Sequence, residues 1–89
     1  MSDRPLSSPR IQILGSDGPE GQALAGNVRA ALQQLGIAGS VELVSDMDVI
    51  TSFQVMVTPA LVVDGRVRLV GRVPEPDELR RMLGGRNDE

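Results

Sequence analysis

The chain has 89 residues, 40% of them apolar, with 12 acidic and 9 basic side chains for a net charge of -3, and it contains neither cysteine nor histidine. A chain this short buries only about 60–65% of the surface its unfolded form exposes, so it supports one thin core and no second domain. Nucleic-acid binding rests on clustered Lys and Arg that neutralise phosphates; here every basic residue is Arg, no run exceeds Arg80-Arg81, and Phe53 is the sole aromatic, which excludes nucleic acid as the partner.

Met1 to Pro9 is rich in Ser and Pro and has no periodic apolar pattern, so residues 1–9 are expected to be a disordered tail before a domain over 10–84. The same stretch lacks the apolar core of a signal peptide, and no apolar run reaches the roughly 18 residues of a spanning helix, so the expectation is a cytoplasmic protein with no membrane partner. Ile11 and Ile13 alternate with polar neighbours and predict a strand over Arg10–Leu14. Gly15-Ser16-Asp17-Gly18-Pro19-Glu20-Gly21 joins it to a helix whose first turn suits Pro19 and Glu20. Leu24, Val28, Ala31, Leu32 and Leu35 then recur at helical spacing up to the stop at Gly36.

Ser40–Val44 alternates again, and strand–helix–strand order predicts that it lies parallel to the first strand. Ser45 or Asp46 caps a short helix in which Met47, Ile50 and Phe53 are spaced to face the sheet. Pro59 opens the next strand, as its missing amide permits at a first residue, and Asp64-Gly65 is the tight turn of a hairpin that returns through Val67–Val70. A last helix starts near Pro74-Glu75-Pro76-Asp77 and runs through Leu79, Met82 and Leu83, leaving 85–89 as a polar tail. The order is βαβαββα, an α/β fold with a four-stranded mixed sheet flanked by helices. Its core is expected to hold Ile11, Ile13, Leu24, Val28, Leu32, Val41, Leu43, Ile50, Leu61, Val63, Leu69, Leu79 and Met82.

Thr58 through Val63, then Asp64-Gly65, then Gly71-Arg72-Val73-Pro74, resembles the second half of the small thioredoxin-like "redox-active disulfide" proteins, and the likeness extends upstream to Ile11. Most X-Pro bonds are trans, but the resemblance implies a cis bond at Thr58-Pro59. That family carries Cys-x-x-Cys at the start of the first helix, and the resemblance sets Gly18 and Gly21 on the two cysteines, a degenerate motif. A helix N-terminus favours a thiolate, and a second sulfur three residues on resolves a mixed disulfide. Glycine does neither, so no catalytic residue is carried over and disulfide oxidoreductase activity is excluded. Cysteines returned at both positions are expected to close a disulfide.

Other chemistry is thinly supplied. Three glycines between strand and helix suggest a phosphate cradle, but the loop has no Lys and neither nucleotide-binding spacing. Asp46 with Asp48, and Glu75 with Asp77 or Glu78, are carboxylates that helix starts attract for dipole reasons. Without Cys or His no ordinary zinc or iron–sulfur site is built, and neither a cofactor nor a metal is expected. The resemblance implies a binding module for an extended peptide or protein, with Gly18, Pro19, Glu20, Gly21, Val57, Thr58 and Pro59 as its surface. The alternative is glutathione or another small thiol compound at the same place, or thiol transfer with the reacting thiol supplied by the partner.

Overall fold

The computed structural model describes residues 9–84, so the expected tails at 1–9 and 85–89, apart from Pro9, lie outside the described residues. Seven elements follow the expected order: β1 Arg10–Leu14, α1 Pro19–Leu35, β2 Ser40–Val44, α2 Met47–Ser52, β3 Ala60–Val63, β4 Arg66–Val70 and α3 Pro76–Gly84. The sheet runs β2-β1-β3-β4, with β1 parallel to β2 and antiparallel to β3, and β3 antiparallel to β4. Being interior, β1 is buried from Ile11 to Leu14 although one of those residues is Gln12. Gln12 faces its register partner Glu42, donating from Nε2 to Oε1 at 3.4 Å.

Alternation divides the apolar side chains between two faces. Ile11, Ile13, Leu61 and Leu69 meet Leu24, Val28 and Leu32 of α1 and Leu79 of α3 in the larger cluster. Leu14, Val44, Ala60 and Val62 meet Ile50 of α2 and Val55 in the smaller one. On the α1/α3 side the expected core is right except at Leu43, with Val41, Val63 and Met82 only partly buried at its margin, and it lacks the second cluster apart from Ile50. Leu43, expected in the core, and Met47, expected to face the sheet, are both exposed. Leu43 is 42% exposed because β2 is an edge strand with no described strand beyond it, and Met47 is 68% exposed. The α2 helix begins at Met47 and has only six residues, so its one buried position is Ile50.

The β3–β4 hairpin turns on Asp64 and Gly65, whose φ values of 51° and 82° are those of the primed turn that matches strand twist. Asp64 also ties the hairpin to β1, accepting from the Arg10 amide through Oδ1 at 2.9 Å and donating its own amide to the Arg10 carbonyl at 2.8 Å. The register slips between Leu61 and Val62, opposite Arg68, a bulge that twists the outer strand. Bulges and charged side chains both blunt a free edge against sheet-to-sheet pairing. Replacing Arg66 and Arg68 by Val is accordingly expected to produce oligomers in light scattering, and a double variant as monodisperse as the parent would refute that protective role.

No described helix is long and apolar enough to cross a membrane.

Candidate functional site

The candidate surface is assembled where three connections meet at one end of the sheet. As β1 ends, the amides of Gly15 and Ser16 both donate to the Val44 carbonyl, at 2.8 and 3.3 Å, which fastens the β1–α1 loop to the end of β2. Gly15 has φ +79°, and a Cβ built there would stand 2.5 Å from Cβ of Thr58, so Thr58 lies directly on this glycine. From the other side comes Gly21, buried in the first turn of α1. A Cβ at Gly21 would collide with the Gly15 carbonyl oxygen and stand 2.7 Å from the Ser16 Cα. The Gly15-Ser16 backbone is thus held between Thr58 and Gly21, and Gln22 completes the clamp by donating from Nε2 to the Ser16 carbonyl at 2.5 Å.

Gly18 is different in kind. It is the N-cap of α1 in an extended conformation (φ -103°, ψ 170°) that any residue adopts, and a Cβ there would meet no atom of the described residues within 4 Å. Among the described residues no side chain caps the helix, and Pro19 holds its first position. The amides of Glu20 and Gly21, at the second and third positions, therefore have neither an intrahelical acceptor nor a capping oxygen. Asp17 and Glu20 are exposed beside them and enter no ion pair among the described residues.

On the facing loop the Thr58–Pro59 peptide bond is cis and Pro59 is buried. Met56 is 93% and Val57 55% exposed, although both are apolar. Among the described residues the main chain of Met56, Val57 and Thr58 enters no backbone hydrogen bond. Contacts therefore run from Thr58 through Gly15 to Gly21, joining the two halves of the surface expected from the sequence. Sequence reasoning did not include Gly15, Ser16 or Val44 in that surface, although a glycine at the end of a strand was the available signal.

The other candidates have structural work. Asp46 caps α2, its Oδ1 accepting from the Asp48 amide at 2.8 Å. Glu78 accepts both arms of Arg72, the shorter contact being 2.6 Å, and the guanidinium holds this carboxyl below its ordinary range. Among the described residues no group of three or more carboxylates could hold a metal ion. An open groove of about 330 Å³, lined by Arg29, Leu32, Gln33, Ile37, Ala38, Gly39 and Val41, lies toward the C-terminal end of α1, away from Gly18.

The family model described as "Thioredoxin domain" matches residues 9–84, nearly the whole chain. The chain belongs to the thioredoxin-domain family. It is similar to a protein named thioredoxin from Methanothermobacter thermautotrophicus, 35% identical over 74 residues that cover 83% of this chain and 96% of the relative. A second, also named thioredoxin, from Methanocaldococcus jannaschii, is 30% identical over 73 residues, covering 82% of this chain and 84% of the relative. The mixed four-stranded sheet with three helices is thus a thioredoxin-like α/β fold. This thioredoxin domain has no cysteine, which fits a member inactive in dithiol–disulfide exchange, since that exchange needs a thiolate to attack.

Proposed function

We propose that the chain is a thiol-free binding module that holds an extended segment of a protein partner across the Val57–Pro59 loop and the Gly18–Gly21 turn. The observation that carries this reading is the run Met56-Val57-Thr58, apolar and exposed at its first two residues and with its main chain unpaired among the described residues. Strand-like recognition takes its affinity from such main-chain groups and its selectivity from neighbouring side chains. The uncapped amides of Glu20 and Gly21 offer donors to a carbonyl or carboxylate of the same segment. Glutathione, a short peptide with two carboxylates, is the alternative occupant.

The test is selection of extended peptides from a random library, followed by titration of the isotope-labelled chain with each selected peptide and, separately, with glutathione. Amide shifts confined to Gly18–Gly21 and Val57–Ala60 are expected with the peptides. Two variants separate binding from folding. Val57→Asp puts charge on an exposed contact, and Gly18→Asp supplies a cap that should leave stability within a few tenths of a kcal/mol while its own carboxylate takes up the amides. Each is expected to weaken binding about tenfold, the effect of losing about 1.4 kcal/mol of contact. Peptides that bind both variants as well as the parent would sink the proposal, and shifts with glutathione alone would replace the protein partner by the small ligand.

A further inference from the structure

Two strands flank the sheet, β2 and β4, and they differ in charge. The one charged residue of β2 is Glu42, whereas β4 carries Arg66 and Arg68, both exposed and in no ion pair among the described residues. The direction of the β4 main chain follows from one hydrogen bond. The Gly71 amide donates to the Pro59 carbonyl at 2.7 Å, so these two residues form a hydrogen-bonded pair. Pairs alternate along an antiparallel ladder; the next one, Ala60 with Val70, is of the other kind, and the N–H and C=O of Val70 point away from β3. Val70 and Val67 stand opposite Ala60 and Val62 of the α2-side cluster, and they are 46% and 39% exposed. Among the described residues the edge therefore presents the outward main-chain groups of Val70, an apolar strip on one face and two cations in no ion pair.

A β4-to-β4 pairing of two copies suits that edge poorly, because it brings Arg66 and Arg68 toward the same cations of the other copy, and like charges across a strand pair are destabilising; pairing with β2 of a second copy would offer the single acid Glu42, already bonded to Gln12. An acidic strand meets no such penalty. We infer that the β4 edge accepts an extended acidic segment of another protein as a fifth strand, its main chain bonding the N–H and C=O of Val70 and its carboxylates facing Arg66 and Arg68. The bulge opposite Val62 interrupts the row at Arg68, so the added strand is short and charge carries much of its affinity. This surface is distinct from the Val57–Pro59 loop and does not depend on it.

The probe is a peptide of alternating Glu and Val, with its Lys–Val counterpart as control, titrated against the isotope-labelled full chain. The Glu–Val peptide is expected to shift the amides of Arg66 to Val70 and to slow exchange of the Val70 amide, with affinity falling about tenfold on moving from low to high salt. Arg66→Glu with Arg68→Glu, two exposed positions, should abolish these changes. Val70→Pro removes an outward amide that an edge strand does not need for its own ladder, and it should keep the fold, checked by circular dichroism, while losing the peptide. Equal binding of the Lys–Val peptide, self-association through β4 in place of binding, or no shift at all would overturn the inference. Shifts confined to Gly18–Gly21 and Val57–Ala60 would also overturn it while supporting the other surface.

Discussion

Gly21→Cys is expected to destabilise the domain by about 3 kcal/mol, the upper end of the overpacking range, because what its Cβ meets is backbone and not a side chain that can rotate away. Helix propensity works the other way only weakly, since cysteine is about 0.3 kcal/mol better than glycine in a helix, so a net loss would show that the collision outweighs it. In thermal unfolding the loss corresponds to about 12–24 °C for a domain of this size. Gly18→Cys, with open space around it, should melt within a few degrees of the parent. This revises what the sequence suggested for the pair: the backbone of Gly15 and Ser16 now occupies the place of the second side chain, and a disulfide between 18 and 21 closes only if that loop withdraws. An unchanged melting temperature for Gly21→Cys would show that the loop yields freely.

Leu61→Ala should cost about 2–5 kcal/mol, a large share of the roughly 5–15 kcal/mol that holds a small domain together. Leu61 is fully buried on an interior strand, between Ile13 of β1 and Leu69 of β4 and within the cluster that α1 and α3 cover. Its neighbours are aliphatic side chains with little freedom to fill the hole. Leu43→Ala is the control, since that side chain, 42% exposed on an edge strand, should lose less than about 1.5 kcal/mol. Chemical denaturation of both variants decides the matter, and equal losses would contradict the assignment of inside and outside.

Local signals accounted for most of the element limits. Alternation marked Arg10–Leu14 and Ser40–Val44, the glycine after Leu35 closed α1, and Asp64-Gly65 announced its turn, because each depends on residues adjacent in the chain. The strand order was harder to exploit. Alternation says that Val41 and Leu43 share a face but not that β2 lies at an edge, which is why Leu43 was expected inside. The cluster around Val44, Val55 and Val62 went unseen because it takes the other side of the same strands, covered by a helix of only six residues. At the candidate surface the resemblance supplied Gly18, Gly21 and Thr58, whereas the Val44 and Thr58 sides of the clamp on Gly15 and Ser16 come from segments brought together only by the finished sheet.

That clamp has a kinetic side. The Gly15 amide reaches Val44, its Cα lies beneath Thr58, and its carbonyl lies against Gly21, so the arrangement needs β2, α1 and the loop before β3 all in place. The contacts to Val44 and Thr58 are distant along the chain and carry the loop-closure cost that slows folding, whereas those to Gly21 and Gln22 are local. Exchange of the Gly15 amide, bonded to Val44 across the chain, should track global opening instead of local fraying. A segment that docks there binds the folded chain alone, and by mass action it acts as a chaperone of the state it recognises.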